Sequence, residues 1–399
     1  MAQRHVIVES NMVSSQHVKF NSTCLNFFTR LNTVDFSLFC DQSHFIEVNK
    51  FINLSNIDYH PIKVVPGLER KFIKKFLYDF LSVLKVFLYA KRNNCKSVIF
   101  LSVFAPTLFL INVFSFFFRL KVKVILHSEL EVLLDKSPSA PTFSGLSGLG
   151  SYRFWIVNYL KSNIRRLGEV NLYALAAHAD ECNLLKLRDY NVDVIDHPYF
   201  VDTYKVSEGK LRNYNDLNFL KNEEKIYIAF VGYARMERGI EHFFELAKAM
   251  NNNEFDDYFF VVLGDVDHRI TIPSGLNNLA LPFLGKGFVD NDLLNNSINE
   301  IDVIFYPYGN CSYRVSSSGA VFEYLHLNKL IVSFDNAYFN YLNASGVKNI
   351  KTFGDISAIK DYLKFRFSDS CVDYNGESSF SFYKLEAAFN QKLIKLLSK

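Results

Sequence analysis

Several short stretches of this chain place glycine, hydroxyl, cationic and carboxylate side chains at spacings suited to handling a phosphate and a sugar. Ser316-Ser317-Ser318-Gly319 opens a short helix, and Glu323 stands four residues past the glycine. Glycine lets backbone N–H groups approach an anion, and a helix N-terminus adds positive potential there. A carboxylate one turn further in can accept from sugar hydroxyls. Ser318, Gly319 and Glu323 thus read as a seat for a nucleotide diphosphate and its ribose; an ordinary serine N-cap would account for residues 316–318 alone. Upstream, an apolar run at 225–231 enters Gly232-Tyr-Ala-Arg235-Met-Glu-Arg238-Gly239, which by itself reads as a strand–helix turn with solvated arginines. His127 ends another apolar run and is followed by Glu129 and Glu131. If the reaction needs a general base near an acceptor hydroxyl, these three are the candidates, with His127 and Glu129 foremost. Ser14, Ser15 and His17 lie on the loop after the first apolar run, which by its residues reads as a capping loop. Asp265-Val266-Asp267 has the spacing of a divalent-cation pair but reads as a polar loop, so no metal is expected.

Taken in chain order, these segments resemble those of GT-B glycosyltransferases, closest to the retaining family-four (glycosyltransferase group 1) type. That family carries a Gly-x-x-x-x-Glu-Ala-x-x-x-Gly-x-Pro-Val-type segment. Here Gly319 and Glu323 fit, the glycine one place off the commonest spacing, with Asn328 in the position of the second glycine and Leu330 in that of the proline. The family's Gly-Arg-Leu-x-x-x-Lys-Gly is met by Gly232, Arg238 and Gly239 in register; Arg238 stands for the phosphate-binding lysine, and Tyr233 for the arginine. The family's other glutamate would fall near Val315 or Ser316. The resemblance implies an α/β GT-B fold, two Rossmann-like domains facing across a cleft. It implies a nucleotide sugar as substrate, no cofactor besides, and a glycan or lipid-linked acceptor in cell-envelope polysaccharide synthesis. It puts Phe288 beside the nucleobase, Tyr306-Pro307-Tyr308 near the sugar, and His127 near the donor sugar or acceptor. A nucleotide-sugar 2-epimerase shares the fold, and a non-catalytic membrane-attached scaffold could carry the same remnants.

The elements that must hold these residues alternate. Strand-like runs at 5–8, 37–40, 59–65, 98–103, 122–127 and 192–195 are interleaved with helical patterns at 24–31, 68–91, 155–166 and 178–189. Such alternation predicts a parallel sheet covered by helices. The polar tract 205–224 reads as a linker between an acceptor-binding domain at 1–204 and a nucleotide-sugar-binding domain at 225–380, with a last helix at about 381–399 packing back on the first. The second domain repeats the alternation, with strands at 258–263, 303–306 and 330–334 and a helix whose apolar face is Ile240, Phe243, Phe244, Ala247 and Met250.

A chain of 399 residues is long enough for two domains, and a formal charge of +3 with dispersed basic residues does not suit a dedicated nucleic-acid binder. Six scattered cysteines without a Cys-x-x-Cys pair fit reduced thiols in the cytoplasm better than zinc or a disulfide framework. No secretory signal is evident at the N-terminus. Residues 98–118 carry no charge and are long enough to span a bilayer, but strand then helix is the reading that matches their surroundings. Residues 68–92 mix Lys71, Lys74, Lys75 and other cations with phenylalanine and leucine. That composition suits a helix on an anionic membrane surface, placing the enzyme peripherally on the inner face; a core helix with a solvated basic side is the alternative.

Overall fold

The structure, a computed structural model, describes residues 3–14, 16–30, 34–55, 57–65, 72–127, 129–134, 152–197, 224–287, 289, 291–309, 312–325, 329–368 and 390–396. The chain divides into two compact units. Met1–Lys205, Arg314–Gly319 and Phe382–Lys399 form the first, and Val206–Tyr313 with Ala320–Ser381 the second. The second stretch of sequence therefore lends six residues to the first unit. The linker expected at 205–224 lies outside the described residues except for its last position.

In the first unit the order is β1 (Gln3–Glu9), α1 (Val18–Arg30), β2 (Val34–Cys40), α2 (Gln42–Phe51), β3 (Asp58–Pro61), α3 (Phe72–Arg92), β4 (Ser97–Ser102) and α4 (Thr107–Phe118). It continues with β5 (Lys121–Leu126), α5 (Tyr152–Lys161), β6 (Val170–Leu175), α6 (Glu181–Asp189) and β7 (Val192–Ile195). The seven strands are all parallel in the order β3-β2-β1-β4-β5-β6-β7. Parallel strands need helical crossovers, so both sheet faces are covered and the strands read as continuous apolar runs. β4 is buried along its whole length. Val6, Val8, Val98, Phe100, Val122 and Val124 supply one sheet face to the main core. Residues 390–396 also belong here: Leu393 and Leu396 are buried, and Lys392 Nζ pairs with Asp196 Oδ2 at 2.9 Å.

The second unit runs β8 (Ile226–Val231), α7 (Ile240–Ala249), β9 (Tyr258–Leu263), β10 (Leu279–Ala280), α8 (Asn291–Asn299), β11 (Val303–Tyr306), α9 (Gly319–Tyr324), β12 (Leu330–Phe334), α10 (Ala337–Ala344), β13 (Ile350–Phe353) and α11 (Ile356–Arg366). Its six strands are parallel in the order β10-β9-β8-β11-β12-β13. α7 buries Ile240, Phe243, Phe244 and Ala247 against this sheet, the face its spacing predicts.

Several expectations are corrected. The helix expected over 155–166 ends at Lys161, and a 3-10 turn, Asn163–Arg166, follows. The strand expected over 59–65 is four residues long, Asp58–Pro61, and the structure adds a strand, β6, between α5 and α6. The uncharged stretch 98–118, by contrast, is β4 followed by α4, the strand and helix expected of it. At twelve residues α4 is about 18 Å long, well short of a bilayer's ~30 Å core. Among the described residues, no helix is long and apolar enough to cross a membrane. Lys75, read as a lipid-facing cation, is instead buried: its Nζ lies 3.5 Å from Asp79 Oδ1, and Thr107 Oγ1 donates to Asp79 Oδ2 at 2.7 Å. Burial pushes both partners toward their neutral forms, and mutual attraction opposes it. Lys71 lies outside the described residues.

Candidate functional site

In each unit the strand order reverses at one place, between β1 and β4 and between β8 and β11. Loops at the carboxyl ends of such strands part there, which is where open α/β sheets hold ligands. In the second unit the loop after β8 carries Gly232, Arg235, Arg238 and Gly239. Gly232 has φ +103°, and its amide donates to the Leu263 carbonyl at 3.0 Å. The β8–β9 ladder resumes beyond it through Ala234 and Val266. Gly264 packs so tightly that a β-carbon there would lie 2.1 Å from the Gly232 oxygen. Gly239, at φ +74°, meets the end of β11: a β-carbon would lie 2.1 Å from the Pro307 carbonyl oxygen.

This stitching presents Arg238. Nη1 of its guanidinium would be 2.9 Å from a β-carbon at position 232, so it packs against this glycine, whose φ of +103° disfavours any side chain. Tyr306, Tyr308 and Tyr313 surround the group, and Tyr313 hydrogen-bonds to it. Desolvation works against its charge and the phenol oxygens more than offset that, so Arg238 remains a fixed cation. Its Nε has no hydrogen-bond partner among the described residues. Tyr308 and Tyr313 are themselves 4.6 Å apart between ring centres. Arg235, half-buried, opens the 3-10 turn Met236–Arg238.

The carboxylates after β9 organise neighbouring loops. Asp265 Oδ1 accepts from the Val266 and Gly285 amides at 2.8 and 2.7 Å, and Oδ2 from the Gly287 amide at 2.9 Å. Asp267 takes a fork from Arg269, Nε at 2.9 Å and Nη2 at 2.7 Å, which holds its carboxyl well below the usual range. Asp265 thus braces the loop expected to flank a nucleobase. Phe288 itself lies outside the described residues. No group of three or more His, Cys, Asp or Glu among the described residues is placed to hold a metal ion.

The segment Arg314–Gly319 packs within the first unit. Val315 is fully buried in that unit's core. Glu131 Oε1 accepts from the Val315 amide at 2.7 Å and from Ser316 Oγ at 2.8 Å, and Ser317 Oγ donates to the Leu175 carbonyl at 3.0 Å. Burial raises the Glu131 carboxyl, and its hydrogen bonds to 315 and 316 oppose the rise. Through Oε1, which accepts both bonds, Glu131 anchors this segment. The anchored turn ends at Ser318, which is buried, and Gly319, where a β-carbon would meet nothing within 4 Å. Glu323 lies on α9, one turn in.

His127 and Glu129 follow the internal strand β5 of the first unit's sheet, just before Glu131. The His127 amide donates to Glu129 Oε2 at 2.6 Å. The ring Nε2 lies 2.9 Å from the Leu101 carbonyl, which can only accept, so neutral His127 carries its proton there and leaves Nδ1 as acceptor. Glu129 is buried; burial raises its carboxyl, and the His127 ring and backbone hydrogen bonds pull the other way. His17 and Phe20 each stand 4.6 Å from the His127 ring. His17 has an exposed ring, yet the surrounding protein and the imidazoles of His127, His197 and His44 lower its pKa well below 6.5. Ser14 is exposed, and Ser15 lies outside the described residues.

The loop before them is held by a buried network that the sequence does not reveal. Glu9 Oε1 accepts from the amides of Asn11 and Met12 at 2.9 and 3.1 Å and from Ser102 Oγ; Oε2 accepts from Asn21 Nδ2 at 2.9 Å. Asn21 Nδ2 also meets His44 Nε2 at 2.8 Å, and His44 Nδ1 donates to the Ser14 carbonyl at 2.8 Å. Glu9 was not among the residues singled out from the sequence, since its partners on α1 and β4 are far along the chain and only the fold brings them to the end of β1.

No family model and no curated protein sequence matches this chain. Solved structures do. HepE of Anabaena in complex with UDP and glucose has a TM-score of 0.59 at 12% identity, over 99% of both chains. A glycosyltransferase from Rickettsia africae has a TM-score of 0.59 at 11% identity, over 99% of this chain and 97% of its own. The UDP-GlcNAc 2-epimerase of Neisseria meningitidis bound to UDP-GlcNAc has a TM-score of 0.51 at 13% identity, over the whole of both chains. At such identities the likeness concerns architecture. Two parallel α/β units in tandem, matched from end to end, give this chain the GT-B fold.

Proposed function

We propose that this protein is a glycosyltransferase that takes a hexosyl group from a nucleotide sugar and passes it to a glycan or lipid-linked acceptor of a cell-envelope polysaccharide. The observation that carries the reading is Arg238: a cation set against Gly232 at the point where the strand order of the second unit reverses. Such a group neutralises the charge that builds on a departing diphosphate, without a metal ion. The engagement of Asp265 and Asp267 in loop contacts supports metal independence. Arg235 lends further charge, Ser318 and Gly319 bind the diphosphate, and Glu323 takes the ribose, as the family resemblance implies. UDP is the nucleotide of choice, since HepE and the Neisseria epimerase were crystallised with UDP or a UDP-sugar. His127 Nδ1 is the acceptor-side base, with Glu129 beside it; Ser14, Ser15 and His17 border the acceptor.

A second reading, a nucleotide-sugar 2-epimerase, is favoured by Glu129. A buried carboxyl with a raised pKa next to an imidazole can exchange a proton with a bound sugar. A thermal-shift screen with UDP, GDP, CDP and dTDP and their sugars comes first, followed by product analysis of the stabilising nucleotide sugar without acceptor. Epimer formation selects the epimerase. An unchanged donor that is consumed once acceptor saccharides are added selects the transferase. No shift with any nucleotide removes both readings.

A further inference from the structure

α3 presents an apolar stripe to solvent. Ile73 is 73% exposed, Leu77 57%, Leu81 59% and Leu88 38%, with Phe80 also exposed and Leu84 half-buried among them. Their spacing of three and four residues puts them within a sector of about 100° on one helix face. Lys74, Lys85 and Arg92 fall along one margin of that sector, and all three are exposed. The other margin leads to α4: Phe80 and Phe87 meet Phe114 at 5.6 and 5.8 Å between ring centres. There Phe116 and Phe117 add exposed rings, Phe117 being 72% exposed, and Arg119 follows. Between residues 72 and 119 the sole acid is Asp79, which is buried against Lys75 and Thr107. The exposed face is therefore apolar along its middle, cationic at its margin and at its C-terminal end, where Lys91 falls, and free of exposed carboxylates among the described residues 72–119. A contiguous apolar patch of this kind marks an interaction site.

We infer that the α3–α4 face docks on an anionic lipid bilayer, with Ile73, Leu77, Leu81 and Phe117 entering the headgroup boundary. Leucine and phenylalanine flanked by lysine and arginine are what such an interface takes, because the stems of the cations lie along apolar surface while their charges reach lipid phosphates. A second copy of the chain would bring two acid-free cationic faces together, which charge opposes. The inference does not depend on the reaction catalysed, and its test uses no substrate.

Cosedimentation of the full chain with phosphatidylcholine vesicles containing phosphatidylglycerol, and with phosphatidylcholine vesicles alone, reads the contact. Strong binding to the anionic vesicles and weak binding to the neutral ones is expected. Leu77→Gln/Leu81→Gln/Phe117→Gln should abolish binding to both while leaving the thermal midpoint in place, since all three side chains are exposed. Lys74→Gln/Lys85→Gln should weaken anionic binding about fivefold per cation and leave the residual neutral binding alone. UDP-induced thermal shifts should be the same in all variants. Equal sedimentation of wild type and the leucine–phenylalanine variant, or none of wild type with anionic vesicles, overturns the inference. So does a concentration-dependent dimer that this variant dissolves, because a second copy would then cover the face.

Discussion

Glu131 Oε1 accepts a hydrogen bond from the Val315 amide at 2.7 Å, across 184 residues of sequence, and so ties the serine turn before α9 to the first unit. Removing it leaves the amide and the Ser316 hydroxyl buried without an acceptor, at about 1–3 kcal/mol each. Glu131→Ala should lower chemical stability by roughly 2–6 kcal/mol for the two groups together, whereas Glu131→Gln keeps an acceptor oxygen and should lose much less. Urea unfolding of the two variants checks this; equal stability of Glu131→Ala and wild type would show the anchor to be idle.

Gly239 has no room for a side chain beside Pro307. Gly239→Ala would push the β8 loop from β11 and also force alanine into a left-handed backbone, at about 1 kcal/mol or more for the conformation alone. Loss of nucleotide affinity by calorimetry, with a lowered thermal midpoint, is the expected result. Unchanged affinity would separate this glycine from the site.

Arg238→Ala should weaken nucleoside-diphosphate binding by ~1.5–3 kcal/mol, the usual worth of a contact to a charged group. Arg238→Lys keeps the charge but loses the fork and the contact with the tyrosines, and should recover part of the affinity. If calorimetry finds the alanine variant as tight as wild type, the diphosphate lies elsewhere.

His5 is buried on β1, with Nδ1 2.8 Å from Ser97 Oγ, and burial with nearby Lys123 and Lys96 lowers its pKa to about 4. A depressed folded-state value means the unfolded chain takes up the proton first. The contribution is fully present above pH 6.5 and is lost as pH falls toward 4. The pH dependence should amount to roughly 3 kcal/mol over that window at most, and His5→Gln should flatten it. Parallel stability–pH profiles for the two proteins would contradict the assignment.

Asp79→Ala leaves Lys75 buried without its partner, which typically costs ~3–5 kcal/mol. The double change Lys75→Met/Asp79→Leu removes both charges and should restore much of that stability. A single variant as stable as wild type would mean water reaches Lys75.

The strands around both sheet centres were legible because parallel strands buried on two faces leave uninterrupted apolar runs, as at Ile226–Val231 and Ser97–Ser102. α7 was legible from its period. β6 escaped notice since it opens with half-exposed Val170 and exposed Asn171, and α2 because it buries only His44 and Val48. Gly232, Arg238 and Gly239 stood out by their likeness to a glycosyltransferase segment, and the structure brings that loop against Pro307 and Tyr313.

What the sequence determined by itself was local: alternating periods, glycine turns at strand ends, and a helix rich in lysine, leucine and phenylalanine. Those signals depend on neighbours a few residues apart. Tertiary structure alone decided which lysine of α3 is buried and which apolar residues face outward, because that depends on where α4 and Asp79 lie. It alone gave Glu131 its partners at 315 and 316 and Glu9 its partners on α1 and β4. Hydrogen bonds between residues 184 and 185 positions apart, as at Glu131, leave no periodic trace in a single chain; they arise when the sheet order places strand ends side by side.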